Sequence, residues 1–293
     1  MTLADGIWQQ IFNFDHYGEL LALVRNSLIA GAALGLIGGL AGVFVIMRDL
    51  PFAVHGISEL SFAGASAALL LGTNVVAGSI AGSLVAAGAI GVLGTRARDR
   101  NSVIGILMPF GLGLGVLFLA LYKGRAANKF GLLTGQIVAV DTPQMNWLLG
   151  TSAVVLAALV VIWRPLTFAS ADPDVAEARG VPVRGLSLAF MIVLGLAVAL
   201  SVQAVGALLV LALVTTPAAA AARVTASPVL LPVLSTVFAV VSIEGGILLA
   251  LGSSVPISPY VTTISFTIYV ACRLAGNRRT RRLGDRRAVA QPA

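Results

Sequence analysis

Residues Gly185 to Ala222 read GLSLAFMIVLGLAVALSVQAVGALLVLALVTTPAAAAA, 38 positions without one charged side chain. About 18 uncharged residues suffice to carry a helix across a bilayer core. This run is twice that length and carries its own break, Gln203-Ala204-Val205-Gly206, so it reads as two crossings. Outward from it lie six more uncharged runs: Asn26–Met47, Leu60–Thr95, Asn101–Tyr122, Thr142–Trp163, Val224–Ile243 and Gly245–Cys272. Leu60–Thr95 is also too long for one crossing and breaks at Gly72-Thr73-Asn74. The composition agrees. A chain of 293 residues that is 58% hydrophobic and 11% charged, with mean hydropathy +0.98, is no soluble globule. Thirty-two glycines beside 6% aromatic residues suit helices packed on helices in lipid and not a barrel of alternating strands. Cys272 is the single cysteine, which excludes a disulfide scaffold and a cysteine-based zinc cluster.

The expected fold is therefore an all-α integral membrane bundle of nine transmembrane helices, at 20–47, 52–71, 75–94, 102–122, 147–163, 185–203, 205–221, 229–251 and 256–274. Cytoplasmic loops carry the excess of Lys and Arg. With the N-terminus outside, fifteen of the nineteen basic residues fall inside and only Arg25, Lys123, Arg125 and Lys129 outside. The odd number of helices then puts the Arg-rich C-terminus in the cytoplasm. Three segments follow: an extracytoplasmic, interfacial segment 1–19 with Trp8, Phe12, Phe14 and Tyr17; a membrane domain 20–275; and a basic cytoplasmic tail 276–293, expected to be disordered. The net charge of +7 is mostly topological. Juxtamembrane arginines point to anionic membrane lipids and not to nucleic acid.

Ionisable groups at membrane depth are costly and mark functional positions by default. Helix 2 carries Phe52-Ala53-Val54-His55-Gly56-Ile57-Ser58-Glu59-Leu60, which puts His55 and Glu59 four residues apart on one face, with Ser58 beside them. An imidazole and a carboxylate at this spacing can both reach one divalent cation and suit zinc, manganese or iron. They can equally bond to each other as a packing device. Glu244 in helix 8 is the other deep carboxylate, a candidate lining for the same path or a group satisfying a neighbouring helix. Gln203 lies in the break between helices 6 and 7, where it either lines the path or satisfies backbone exposed by that break. His16, beside Asp15, reads as a solvated loop residue. The pairs Gly31/Gly35 and Gly111/Gly115 have the spacing of close helix packing. The chain has no nucleotide-binding lysine loop, no His-Glu-x-x-His and no Gly-x-Ser-x-Gly, hence no visible means of hydrolysing ATP or a peptide. A pore, a secondary carrier or the membrane half of a pump remain.

Several stretches, in order, resemble the permease subunits of bacterial zinc and manganese ABC importers. They are Phe52–Gly64, Asn101–Ile106, Leu132-Leu133-Thr134-Gly135-Gln136-Ile137, Asp172-Pro173-Asp174 running into Ala178–Val183, Gln203–Val210, and Thr215-Thr216-Pro217-Ala218-Ala219. The resemblance covers about residues 20–275. It implies a transport subunit of the bacterial plasma membrane, with no catalytic residue of its own and no permanently bound cofactor. Such a subunit pairs with a second permease copy, docks a dimer of cytoplasmic ATP-binding subunits and receives a divalent metal ion from an extracytoplasmic metal-binding protein. It also implies that the segment Pro217–Pro228, with Arg223 and Ser227, presses on the ATPase, and that Asp172–Arg184 is a second contact. In one respect this chain departs from the family: the acid that usually precedes a histidine by four positions in helix 2 is here His55, and the histidine is Glu59. The two ligand types are exchanged while their spacing is kept. Imidazole chemistry tilts the cargo towards zinc, with manganese and iron as alternatives. The competing readings are an ATP-independent secondary carrier working through Glu59 and Glu244, and the permease of a siderophore- or cobalamin-type importer.

Overall fold

Lipid offers no partner to a free peptide N–H or C=O, so the charge-free runs satisfy their backbones internally as helices. The computed structural model describes residues 21, 24–94, 97–125, 131–133, 135, 142–207, 209–251, 253 and 255–289, with backbone alone at 97–98, 142–144 and 277–289. The expected interfacial segment 1–19, and Thr134, Gln136, Ile137 and Leu208 of the motifs above, lie outside the described residues. Among those described there is no strand. The helices are α1 (Arg25–Met47), α2 (Pro51–Leu70), α3 (Val75–Leu93), α4 (Ala97–Leu121), α5 (Thr142–Ala171), α6 (Pro173–Ala178), α7 (Val183–Val205), α8 (Val210–Val224), α9 (Leu230–Ala250) and α10 (Ile257–Val289). The bounds of α10 run on into the basic segment after residue 275.

Both internal breaks fall where the sequence puts them, and each has a local cause. After α2, Gly72 takes the left-handed region at φ 67°, and the Asn74 side chain then accepts the N–H groups of Val76 at 2.9 Å and Ala77 at 3.2 Å to open α3. After α7, Gly206 turns the chain at φ 85°. A Cβ there would run into the carbonyl of Leu133, and one on Gly135, itself at φ 83°, would meet the backbone of Val205. Two glycines thus let the strip before α5 lie against the end of α7, where a side chain on either would part them.

Among the described residues, seven helices are long and apolar enough to cross a membrane: α1, α2, α3, α4, α5, α7 and α9. Of the two other expected crossings, α8 is a shorter apolar helix of 15 residues, about 22 Å at 1.5 Å per residue, and α10 carries the C-terminal arginines. Two bounds differ from expectation. Helix α5 spans 30 residues, about 45 Å, and does not stop at Trp163. A charge at Arg164 suggests an end there, but that side chain is exposed and the helix runs on to Ala171 with Pro165 inside it. Helix α6, opened by Asp172 accepting Val175 N–H at 3.0 Å, had no hydrophobic signature to announce it.

Three helices form the middle of the bundle. About 67–72% of the spans of α1, α2 and α7 is buried, against 22–33% for α3, α4, α5 and α9. Helix α2 packs on α3 and α4, α1 on α9, α7 on α3 and α5, and α8 among α1, α9 and α10. Small residues set these distances. A Cβ on Gly64 or Gly82 would collide with the carbonyl oxygens of Gly78 and Leu60, so α2 and α3 touch backbone to backbone. Large side chains fill the centre, with Phe44 edge-on to Phe190 at 5.7 Å and to Trp163 at 4.8 Å.

Candidate functional site

Helix α2 starts at Pro51, whose missing N–H costs nothing in a first turn. One and two turns further in, His55 and Glu59 project from the same face. Nε2 of His55 and Oε1 of Glu59 are 3.7 Å apart, too far for a direct hydrogen bond, and Nδ1 of His55 is buried without a partner. The two side chains therefore do not satisfy each other. Glu59 is 5% exposed and His55 29%, so the carboxylate lies inside the bundle while the imidazole reaches an open face of the chain. Two ligands about 2.1 Å from a tetrahedral ion sit about 3.4 Å apart. The 3.7 Å separation of this pair is close to that value.

The backbone beneath the pair is rigidly held. On α4, a Cβ at Gly111 would lie 2.9 Å from the backbone of Glu59 and Leu60, and Gly115 lies on the Phe62 ring. The spacing of Gly111 and Gly115 thus serves the close approach expected of it. Ser58, on the far flank of α2, donates to the Ala207 carbonyl in the break after α7 at 2.8 Å. One turn on, the hydroxyls of Ser61 and Ser79 are 2.7 Å apart, and Ser79 reaches the Ala199 carbonyl at 3.3 Å. A chain of hydroxyls thus joins α2, α3 and α7. Reading the sequence missed Ser61 and Ser79: serines are common in membrane helices, and nothing local pairs these two.

The other singled-out residues are distributed elsewhere. Gln203 sends its side-chain N–H across to the Val75 carbonyl at 3.2 Å, tying the end of α7 to the start of α3. Glu244 sits on α9 against α1, where a Cβ on Gly31 would come 2.7 Å from its Oε1, and that oxygen is buried with no partner. No group of three or more His, Cys, Asp or Glu side chains converges on a metal position among the described residues. The structure brings His55 and Glu59 together and leaves Glu244 apart from them. In the Pro217–Pro228 segment, Pro217 is buried within α8. Arg223, in its last turn, is exposed, donates to the Tyr269 hydroxyl at 3.4 Å and lies 6.0 Å from the centre of that ring. Ser227 accepts the Leu230 N–H at 3.4 Å to open α9, and Pro228 is exposed beside it. The segment is thus the end of α8 and an exposed turn, with no separate helix. The separate short helix is α6, in the other candidate contact.

A many-spanning helical bundle with an imidazole and a carboxylate paired at depth in one of its central helices is a membrane permease in architecture. The chain belongs to the ABC 3 transport family, which matches residues 21–275, and is a multi-pass protein of the plasma membrane. It is 28% identical to the manganese transport system membrane protein MntC of Halalkalibacterium halodurans, over 84% of this chain and 85% of that protein. To the high-affinity zinc uptake system membrane protein ZnuB of Haemophilus influenzae it is 25% identical, over 86% of this chain and 97% of that one. Its fold is similar to a chain in the structure of PsaBC from Streptococcus pneumoniae in complex with Fab, with TM-score 0.76, 25% identity and coverage of 92% of this chain and 95% of that chain.

Proposed function

We propose that this chain is the permease subunit of an ATP-driven importer of divalent metal ions, with zinc as the favoured cargo and manganese or iron as alternatives. The observation that carries the site is the open His55–Glu59 pair: two ligands on one helical face, 3.7 Å apart, not bonded to each other and with a free imidazole nitrogen. Two ligands do not complete a four-coordinate site. A second copy facing the first across the half-buried imidazole would supply the other two. Coordination has to stay weak enough to release the ion on the far side, which suits a site shared between two chains.

Alternating access needs a motor that this chain lacks, since its sequence has no nucleotide-binding lysine loop. ATP is bound and hydrolysed by a separate cytoplasmic subunit pair, docked on Arg223, Ser227 and Pro228 at the end of α8 and on α6. Their exposure supports this, as does the basic asymmetry that puts them, with the C-terminus, on the cytoplasmic side and the N-terminus outside. The ion is delivered by an extracytoplasmic metal-binding protein. Nine crossings, with α8 and α10 completing the count, satisfy this orientation, and the family match over 21–275 supports a membrane domain of 20–275 between the two terminal segments. Ser58 and Gln203 border the path where α2 and α3 meet the break after α7, and Glu244 lines it further along.

Uptake of labelled zinc and manganese in a deletion strain, complemented with the chain or with His55→Ala or Glu59→Ala at matched membrane levels, tests the reading. Loss of uptake in both variants is expected. Wild-type uptake in both overturns the site, and metal transport by the isolated chain in vesicles without ATP or partner overturns the pump.

A further inference from the structure

One end of the bundle holds a second concentration of charge that metal transport does not use. The last residues of α1 and α3 and the first of α4 and α7 enclose a cavity of about 150 Å³, lined by Arg48, Arg100, Arg184, Ser187 and the apolar Ile90 and Phe190 among others. Among the described residues no Asp or Glu lines it. Arg48 donates through Nη2 to the Ser187 hydroxyl, and Arg100 donates through Nη2 to the Arg48 carbonyl at 3.5 Å. Each keeps a second donor, Nη1 of Arg48 and Nε of Arg100, buried and without a partner. Arginine cannot shed its proton to relieve burial. Burial, and then Arg100 beside it, push the Arg48 guanidinium below the usual arginine value, as expected of cations gathered without a counter-charge. Unpaired donors in such a place carry a desolvation cost that a bound acceptor removes.

We propose that this cavity is a binding site for a phosphate-class oxyanion, held between Arg48 and Arg100 with Arg184 at its mouth. Guanidinium forks match the oxygen spacing of phosphate and bind it in pairs. The volume admits one such group and falls below the roughly 300 Å³ of a pocket for a drug-sized ligand, so a whole nucleotide does not fit. The cavity opens at helix ends, where the heads of anionic lipids lie. Two sources share this chemistry, a phospholipid headgroup and free inorganic phosphate. Either would fasten α1, α4 and α7 together at the end of the bundle from which the Asp172–Arg184 segment emerges.

The full chain, purified in uncharged detergent, is the material for the test. In one arm, thermal unfolding is followed during titration with inorganic phosphate against chloride at equal ionic strength. In the other, native mass spectrometry counts retained phosphatidylglycerol against phosphatidylcholine. Wild type is expected to be stabilised by phosphate, or to retain one phosphatidylglycerol, and Arg100→Gln to bind at least about tenfold more weakly. Arg48→Lys, which keeps the charge and loses the fork, reports separately from a folding failure by giving an intermediate loss. Arg164→Gln, an exposed arginine outside the cavity, is expected to bind as wild type. Stabilisation by phosphate alone identifies the free ion as the ligand, and retention of phosphatidylglycerol alone identifies the lipid. Equal behaviour of phosphate with chloride and of the two lipids in wild type overturns the site, as does an Arg100→Gln protein that binds as wild type.

Discussion

Glu59 and Glu244 are both carboxylates inside membrane helices, yet the bundle treats them differently. Glu59 is held on a helix whose backbone is pinned by Gly111 of α4 and by Gly82 of α3, and an imidazole stands 3.7 Å from its oxygen. Glu244 is set against a glycine of α1 and the side chain of Ile247, with an oxygen that bonds to nothing. Helix α9 also meets α1 backbone to backbone, at Gly35 and Gly39, so the contrast lies in the immediate surroundings: the glycine contact at Glu59 is with its own backbone, and the one at Glu244 is with side-chain ends. On the proposed reading, Glu59 as a transport ligand has to be positioned more tightly than Glu244 further along the path.

The largest effect expected from this contrast is in metal uptake. Alanine at His55 or Glu59 lowers it by about 10- to 100-fold, the range found when groups supporting a metal are removed, and the double variant is no worse than the single ones because the pair acts as a unit. Alanine at Glu244 lowers uptake by no more than about threefold, under 1 kcal/mol. Equal losses at all three positions, measured at matched protein levels, would erase the distinction and place Glu244 in the central station.

Next in size come the two glycines. Gly111→Ala forces its methyl against the backbone of Glu59 and Leu60 and is expected to destabilise the purified protein by about 1–3 kcal/mol, the cost of overpacking. Gly31→Ala meets only the movable ends of Glu244 and Ile247 and costs less than about 1 kcal/mol. Thermal unfolding in mild detergent ranks them, and the reverse order would mean that the α1–α9 contact is the more rigid one.

Removing the Ser58 hydroxyl with Ser58→Ala leaves the Ala207 carbonyl without that donor and should lower stability by about 1 kcal/mol; unchanged unfolding would show that α2 and the break after α7 are not coupled. The smallest effect is reserved for Glu244→Gln. It takes a charge out of the membrane without emptying the space, so stability stays within about 1 kcal/mol of wild type or rises, while Glu59→Gln in the same experiment is expected to lower metal uptake as strongly as alanine.

Much of this molecule is legible one stretch at a time. Charge-free runs become helices because no alternative satisfies a backbone in lipid, and both breaks, at Gly72–Asn74 and at Gly206, announce themselves through residues that stop or start helices. The end of α5 is not legible in this way: a single exposed charge such as Arg164 does not end a helix, and α5 continues through it to Ala171. The His55–Glu59 pair was legible because side chains four residues apart need only one helix to meet.

The remainder depended on residues far apart in the chain. Nothing near Arg48 in sequence says that it shares a cavity with Arg100 and Arg184, and nothing near Ser61 names Ser79. By itself, then, the sequence determined that this is a membrane bundle, where most of its helices run, and which ionisable groups lie at depth, because those follow from local chemistry and the absence of water. Only the tertiary structure decided which of those groups meet. Helices approach through glycines whose partners lie elsewhere in the chain, and such approaches set Glu59 at the centre, Glu244 to one side and the arginines together at one end.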